Sequence, residues 1–123
     1  MTFSNAVAAS GLGGVIQTIT VIDKGNIKAD LNIYFSDRTF TAVSDNAAWT
    51  LSDSDAANAI GIVNVADTDY VSNGSANAVA TVKNVGLAFV ANGTDLFAQI
   101  HCTATPTYTS TTDLIIILTI LQD

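Results

Sequence analysis

The sequence predicts an all-β protein: a single-domain antiparallel β-sandwich, jelly-roll-like, with one short helix. The acidic residues are all Asp, eleven in number, and Lys and Arg total four, whereas there are sixteen Thr and ten Asn. Thr suits a pleated, half-buried surface, and Asp and Asn suit turns. Apolar residues make up 49 % of the chain and charged residues 12 %, a mixture that argues against disorder. Short alternating apolar runs between Gly, Asn and Asp clusters complete the pattern of a β-protein rich in turns.

The N-terminal half of the chain predicts an arm followed by two strands. Residues 1–14 are small and polar and end in Gly11-Leu12-Gly13-Gly14, which indicates an N-terminal arm before a β-sandwich domain at residues 15–123. Alternating side chains predict strands over residues 15–22 and 29–35. In the first, we expect Val15, Ile19 and Val21 to share one face. The spacing of the two runs suits a hairpin.

The middle of the chain is where a helix competes with strands. A helical turn is expected over residues 45–48, before Trp49. Ser52-Asp53-Ser54-Asp55 supplies candidate N-caps for a helix of at most two turns that ends by Gly61. A strand over residues 60–65 and a loop over residues 67–77 follow, with a turn at Asn73-Gly74.

The C-terminal half predicts four more strands. They span residues 78–82, 86–90, 96–102 and 113–121. Asn92-Gly93 lies between apolar runs and is the clearest hairpin signal in the chain. A Thr-rich loop around Pro106, the only proline, precedes the last strand.

The last strand is apolar on both faces. Its alternation places Leu114, Ile116, Leu118 and Ile120 on one face and Ile115, Ile117 and Leu121 on the other, with Thr119 the only polar residue. A two-layer sandwich buries one face of each sheet, so the second face needs a cover: the arm, a long loop or another subunit. Burial of each large aliphatic side chain is worth roughly 1.5–3 kcal/mol. The residues predicted to form a subunit interface are Leu12, Ile115, Ile117, Thr119 and Leu121.

Charge and hydropathy restrict the partners. A net charge of −7 disfavours binding to nucleic-acid phosphates, so no nucleic acid is expected. The longest apolar run, residues 114–121 with Thr119 tolerated, is far shorter than the roughly 18–20 residues of a membrane-spanning helix, so no membrane is expected. The N-terminus lacks the basic residue and long apolar stretch of a signal peptide, and a single cysteine excludes an intrachain disulfide.

No pattern of catalytic or metal-ligating residues stands out, and we expect neither an enzyme nor a cofactor. His101 and Cys102 are neighbours on a strand and point to opposite faces, so they cannot share one ion without a bulge. No G-x-S-x-G motif and no phosphate-binding loop occurs. The Asp53/Asp55 and Asp67/Asp69 pairs lack the glycine and glutamate of an EF-hand and are interpreted as caps, with an irregular calcium site as the alternative.

The aromatic residues allow two interpretations. They are most simply core and interface anchors. The alternative is a sugar-binding platform built from Tyr34, Phe35, Phe40, Trp49, Phe89 and Phe97.

Several stretches together resemble a family of virion proteins. They are Ile19-Thr20-Val21-Ile22-Asp23, Ala29-Asp30-Leu31-Asn32-Ile33-Tyr34-Phe35, Thr39-Phe40-Thr41, Asp45-Asn46-Ala47-Ala48-Trp49, Asp53-Ser54-Asp55, Ile60-Gly61-Ile62-Val63 and Thr105-Pro106-Thr107-Tyr108-Thr109-Ser110-Thr111-Thr112-Asp113-Leu114. Over roughly residues 15–123 the chain resembles the small head decoration, or cement, proteins of tailed bacteriophages.

The resemblance implies a role, a partner and a location. The chain would bind the major capsid protein on the exterior of the phage head, stabilise capsomer junctions and form a homo-oligomer, a dimer or a trimer. No catalytic residue is carried over from the family. The alternatives are a tail or head-fibre module of similar fold and a carbohydrate-binding β-sandwich.

Overall fold

The computed structural model describes residues 1–41, 43–44 and 47–123, and its elements are nearly all strands. In chain order they are β1 (Thr2–Phe3), β2 (Gly13–Asp23), β3 (Leu31–Ser36), α1 (Asp53–Ala56), β4 (Ala59–Val65), a 3₁₀ turn (Asp67–Asp69), β5 (Tyr70–Asn73), β6 (Asn77–Val82), β7 (Leu87–Val90), β8 (Leu96–Cys102) and β9 (Leu114–Gln122). The antiparallel β-sandwich with one short helix is therefore confirmed. The helical turn expected over residues 45–48 begins outside the described residues.

Two antiparallel sheets form the sandwich. The four-stranded sheet has the order β1-β8-β3-β4. In the five-stranded sheet β2 is central and pairs with β6, β7 and β9, and β5 extends the sheet beyond β6. Since β9 runs along nearly all of β2, β6 and β7 must lie end to end on the other edge of β2.

The core lies between the sheets and takes apolar side chains from both. The four-stranded sheet contributes Ile33, Phe35 and Leu96, and the five-stranded sheet contributes Ile16 and Ile19, all with no exposed surface. Side chains of this kind are each worth roughly 1.5–3 kcal/mol when buried. β2 and β3, which have partners along both edges, therefore supply four of these five side chains.

A bulge in β2 corrects the predicted assignment of faces. The register between β2 and β9 shifts between Ile16 and Thr18, and the carbonyl of the extra residue, Gln17, accepts a hydrogen bond from Val85 N–H at 3.0 Å. The bulge reverses the alternation. Val15 therefore lies on the outer face, although Ile19 and Val21 point to the core, and the prediction that all three share one face is wrong.

Two predicted hairpins are connections between sheets. Strands β2 and β3 do not pair with each other, because both edges of β2 are filled by β9, β6 and β7. The Asn92-Gly93 turn joins β7 in one sheet to β8 in the other. By contrast, the Asn73-Gly74 turn closes a true hairpin, in which Asn73 pairs with Asn77 and Gly74 has a φ of 71°.

The segment expected as an arm packs against the chain itself. Thr2 and Phe3 pair with β8, and Ala6 and Val7 are buried. β2 starts at Gly13, where a Cβ would lie 2.7 Å from the Phe89 carbonyl oxygen. Residues 1–14 therefore pack against both sheets of their own chain.

The remaining elements to compare with the prediction are two short strands and the helix. β1 and β5 are absent from the prediction, because two and four residues are too few to show a period of two. The helix is the single turn Asp53–Ala56, and the Ser52 hydroxyl accepts a hydrogen bond from Asp55 N–H at 3.1 Å, as the capping pattern predicts.

A buried carboxylate organises the connection from β2 to β3. Asp23 has no exposed surface, and its two carboxylate oxygens accept hydrogen bonds from Gly25 N–H (2.9 Å) and Lys28 N–H (2.6 Å). These bonds hold a turn in which Asn26 and Lys28 have positive φ, a conformation costly for residues with a Cβ. Asp23 thus fixes the path by which the chain leaves one sheet for the other.

Substitution of Asp23 by Asn should lower the free energy of unfolding by about 2–4 kcal/mol, because the amide removes the charge and leaves a buried NH₂ facing a backbone donor. Urea unfolding measures the loss. Asp53→Asn, a substitution at an exposed acidic residue, is the control and should change stability by less than about 0.5 kcal/mol. An unfolding curve for Asp23→Asn that overlays the wild-type curve would contradict this account.

Tyr70 and Tyr108 should make stability depend on alkaline pH. Burial, followed by neighbouring charges that include Asp23, raises the pKa of both phenols above the usual 10.0. The folded state then keeps both protons to a higher pH than the unfolded chain. Stability should be unaffected by these groups below about pH 10 and fall as pH rises above it. Phenolate absorbance follows the titration, in which Tyr70 and Tyr108 should ionise at higher pH than an exposed tyrosine. The Tyr70→Phe/Tyr108→Phe variant should lack this high-pH ionisation. A titration of that variant identical to the wild-type titration would refute the assignment of the raised pKa values to Tyr70 and Tyr108.

Candidate interaction surface

The outer face of the five-stranded sheet is uncharged and largely aliphatic. The outward side chains other than the Asn73–Asn77 pair at the hairpin end form what we call the apolar face: Val15, Thr18, Thr20, Ile22, Val71, Val79, Thr81, Ala88, Val90, Ile115, Ile117, Thr119 and Leu121. Each alternates with a residue whose side chain points into the sandwich, such as Ile19, Ala80 or Ile116. None of the residues of the apolar face is acidic or basic.

The register arranges the apolar face in rows across the strands. One row runs Val71, Val79, Ile22, Ile115, and a second runs Ala88, Val15, Leu121. Between them lie Thr81, Thr20 and Ile117 in one row and Thr18 and Thr119 in the next. Branched side chains in direct cross-strand pairs stabilise the sheet and leave a surface of low relief.

Several large side chains of this face remain in contact with solvent. Val71 and Val90 are 68 % and 65 % exposed, and Ile117 and Leu121 are 50 % and 61 % exposed. The other large apolar residues exposed in the described part of the chain are Met1, Leu12, Ile27 and Ile62. Clustered exposure of this kind marks interaction sites in soluble proteins, whereas scattered exposure is ordinary.

The predicted interface residues fall into two groups. Ile115, Ile117, Thr119 and Leu121 lie together on the outward side of β9, as the alternation predicts. Leu12 precedes β2, three residues from Val15, the partner of Leu121, and its carbonyl accepts a hydrogen bond from Ala91 N–H. Of the three covers proposed for β9, the N-terminal segment and the described loops leave Ile117 and Leu121 exposed.

The sequence does not predict that Val71 and Val90 belong to the apolar face. Val71 lies in a segment expected as loop, and Val90 joins the face only because β7 pairs with the start of β2. Alternation within residues 86–90 indicates which residues share a side, but the strand's position in the sheet requires the register.

Apart from the buried Asp23 at the end of β2, the carboxylates in the described part of the chain lie outside the strands. The Thr109 hydroxyl and the backbone N–H groups of Ser110 and Thr109 hold the pKa of Asp113 below its usual value. The Ser52 hydroxyl and Thr41 do the same for the pKa of Asp55. Asp113 therefore stays ionised just before β9 and marks the border of the apolar face.

An aromatic cluster covers the outer face of the other sheet. The Trp49 ring lies over Tyr34 and His101, with centroid distances of 4.5 and 4.9 Å. Beside it is a groove of about 870 Å³ whose lining includes Gln99 and Tyr108. Phe35 and Phe89 are in the core. The six aromatic residues considered as a sugar platform therefore do not form one surface.

The residues weighed as metal ligands have structural roles. An oxygen of Asp69 accepts from Ala66 N–H at 2.9 Å, and Asp55 accepts from the Ser52 hydroxyl at 2.8 Å. His101 stacks on Trp49 on the outer face, whereas the alternation directs Cys102 inward. Within residues 1–41, 43–44 and 47–123, no three His, Cys, Asp or Glu side chains come together as a metal site would require.

Comparison of the chain with protein-family models, with curated proteins and with solved structures gave no match. The helices in the described part of the chain are too short and polar to cross a bilayer.

Replacement of Ile117 and Leu121 by Thr should change the free energy of unfolding by less than about 1 kcal/mol, because both side chains are already half exposed. The same variant should bind less of an environment-sensitive apolar dye. Ile116→Thr, on the inward side of the same strand, is the matched control and should cost about 2–4 kcal/mol. A double variant as unstable as Ile116→Thr would show that the apolar face is covered.

Proposed function

We propose that this protein is a structural component of a phage virion, a decoration protein that binds the major capsid protein on the outside of the head. The observation that carries the proposal is the apolar face, a broad uncharged sheet surface with Val71, Val90, Ile117 and Leu121 exposed. The sequence resemblance to phage decoration proteins supplies the kind of surface it would meet.

The chemistry of the apolar face suits permanent docking. Its side chains are short and branched, and those on strands have few rotamers to lose, so little conformational entropy opposes binding. The hydroxyls of Thr18, Thr81 and Thr119 can form hydrogen bonds at a partly hydrated interface. Burial of its aliphatic rows would add favourable contacts across a capsomer boundary and oppose separation of the capsid subunits.

The charge of the chain favours an exterior position. A net charge of −7 repels the phosphates of a packaged genome. The described carboxylates other than the buried Asp23 lie outside the strands, such as Asp53 in α1, Asp67 in the 3₁₀ turn and Asp113 before β9, rather than on the apolar face. A protein bound through that face would present its acidic loops to solvent.

Two other roles remain proposals of lower rank. A tail or head-fibre module would use the same surface, and imaging of whole particles would distinguish it by location. A carbohydrate-binding role would use the groove beside Trp49, but Trp49 already covers Tyr34 and His101, and this favours the structural role.

Added to empty heads of its phage, the purified protein should co-sediment with them and raise the temperature at which they break. Ile117→Lys/Leu121→Lys should abolish both effects, because burial of two ammonium groups without partners would cost several kcal/mol.

The matched control is Ile62→Lys. Ile62 is 51 % exposed, close to the 50 % of Ile117, but lies on β4 in the other sheet. This variant should bind heads like the wild type. Equal loss of binding by both variants, or no binding by the wild type, would overturn the proposal.

A further inference from the structure

The outermost strand of the five-stranded sheet has an unpaired edge. β9 pairs with β2 along Leu114–Gln122, and in the described part of the chain no strand pairs with its other side. At about 3.4 Å per residue, its nine residues offer an edge of roughly 30 Å.

The hydrogen-bond pattern identifies the backbone groups on this edge. Lys24 N–H donates to the Asp113 carbonyl at 2.8 Å, and Asp123 N–H donates to the Gly13 carbonyl at 3.2 Å. In an antiparallel ladder the residues of a strand address its two neighbours alternately. The odd-numbered residues of β9 thus bond β2, and the N–H and C=O groups of Leu114, Ile116, Leu118, Ile120 and Gln122 point outward.

β9 lacks the charges, prolines and bulges that protect exposed edges, and it meets the N-terminal segment at its last residue, where the Gln122 side chain donates to the Asn5 and Ala6 carbonyls. Residues 114–122 contain no Lys, Arg or Pro, and the bulge at this level lies in β2 instead. The other outer strands differ. β1, β5 and β7 have two, four and four residues, and β4 has a register irregularity opposite Phe35 and Ser36. The longest edge of the sandwich is therefore also the least protected.

We propose that the partner of this edge is a second copy of the same chain, with the two β9 strands antiparallel about a two-fold axis at Leu118. The sequence of β9 is suited to its own reversal. This register pairs Ile116 with Ile120, Ile115 with Leu121 and Leu118 with itself across the two copies, so that aliphatic side chains meet in three of the five kinds of pair. Ile117 then faces Thr119 and Leu114 faces Gln122, and no pair brings two charges together. A same-edge pairing also satisfies the outward N–H and C=O groups of both copies at once.

The paired copies would share one sheet of ten strands, and their apolar faces would lie side by side. This arrangement deepens the proposed function and rests on it in one respect: docking of both faces on a head would be bivalent and therefore tighter than docking of one. The pairing itself uses the strand edge, so it can fail or hold independently of head binding.

Charge gives the pairing a distinctive salt dependence. Each copy has a net charge of −7, and the register brings Asp113 of one copy near Asp123 of the other at each end. Residues 114–122 between them are uncharged. Added salt screens the repulsion, so dimerisation should become stronger with ionic strength, opposite to an interface held by ion pairs.

Amide hydrogen exchange of the full chain across a range of protein concentrations tests the proposal. The outward amides of Ile116, Leu118 and Ile120 should be protected in proportion to dimer, by at least about tenfold between dilute and concentrated samples. The amides of Ile115 and Ile117, bonded to β2, are internal references and should stay protected at all concentrations. A dimer in which the outward amides still exchange freely, or a monomer at every concentration, would refute the pairing.

A pair of variants separates the edge from the face. Thr119→Lys places a charge against the partner strand and should weaken dimerisation by about tenfold or more. Thr81→Lys makes the same change on the same apolar face but on β6, away from the edge, and should leave dimerisation unchanged. If Thr81→Lys weakens association as much as Thr119→Lys, the copies associate through their faces and the edge pairing is wrong. Loss of head binding by Thr81→Lys with dimerisation intact is the result expected if heads bind the apolar face and the two copies pair through the β9 edge.

Discussion

The pairing of β9 with β2 is the constraint on which the rest of this molecule depends. Among the strands of the described residues, β2 alone has three partners, and β9 fills one of its edges from Gly14 to Asp23. That pairing completes the core with Leu114, Ile116 and Leu118, and it brings Ile115, Ile117 and Leu121 onto the outer face beside Val15 and Ile22. The same ladder leaves the far edge of β9 open.

The bulge at Gln17 gives the apolar face its continuity. Without it, the period of two would direct Ile19 and Val21 to the outer face, given that Val15 is there. With it, both halves of β2 keep aliphatic side chains on the core side, and Thr18 and Thr20 follow Val15 on the outside. The interruption between β6 and β7 lies at the same level, where Val85 N–H bonds the Gln17 carbonyl. The bulge in β2 and the gap between β6 and β7 thus lie side by side, and the aliphatic side chains of both halves of β2 stay on the core side.

The strand residues of the apolar face carry no charge, and the charged residues lie elsewhere in the chain. Carboxylates occur mostly where they accept hydrogen bonds from backbone N–H groups, as Asp69 and Asp113 do in turns and Asp23 does inside the fold. Thr provides most of the polarity of the apolar face. Charged groups in a docking surface lose hydration on burial, whereas hydroxyls can exchange water for a partner at little cost. A surface made in this way is suited to a permanent contact, the requirement of the role proposed for this protein.

The sequence by itself determined the class of the fold, the position of most strands and the two-sided apolar character of β9, since a period of two and turn residues are local properties. The strand at Leu96–Cys102 was predicted with its observed limits. Tertiary structure alone decided which strands pair. β7 and β8 flank Asn92-Gly93 but lie in different sheets, because pairing depends on which strand edges are free. The edges of β2 are likewise filled by strands that are distant from it in the chain. The apolar face is likewise a product of register. Val71 and Leu121 are fifty residues apart, and no local pattern relates them until β5, β6, β2 and β9 are assembled side by side.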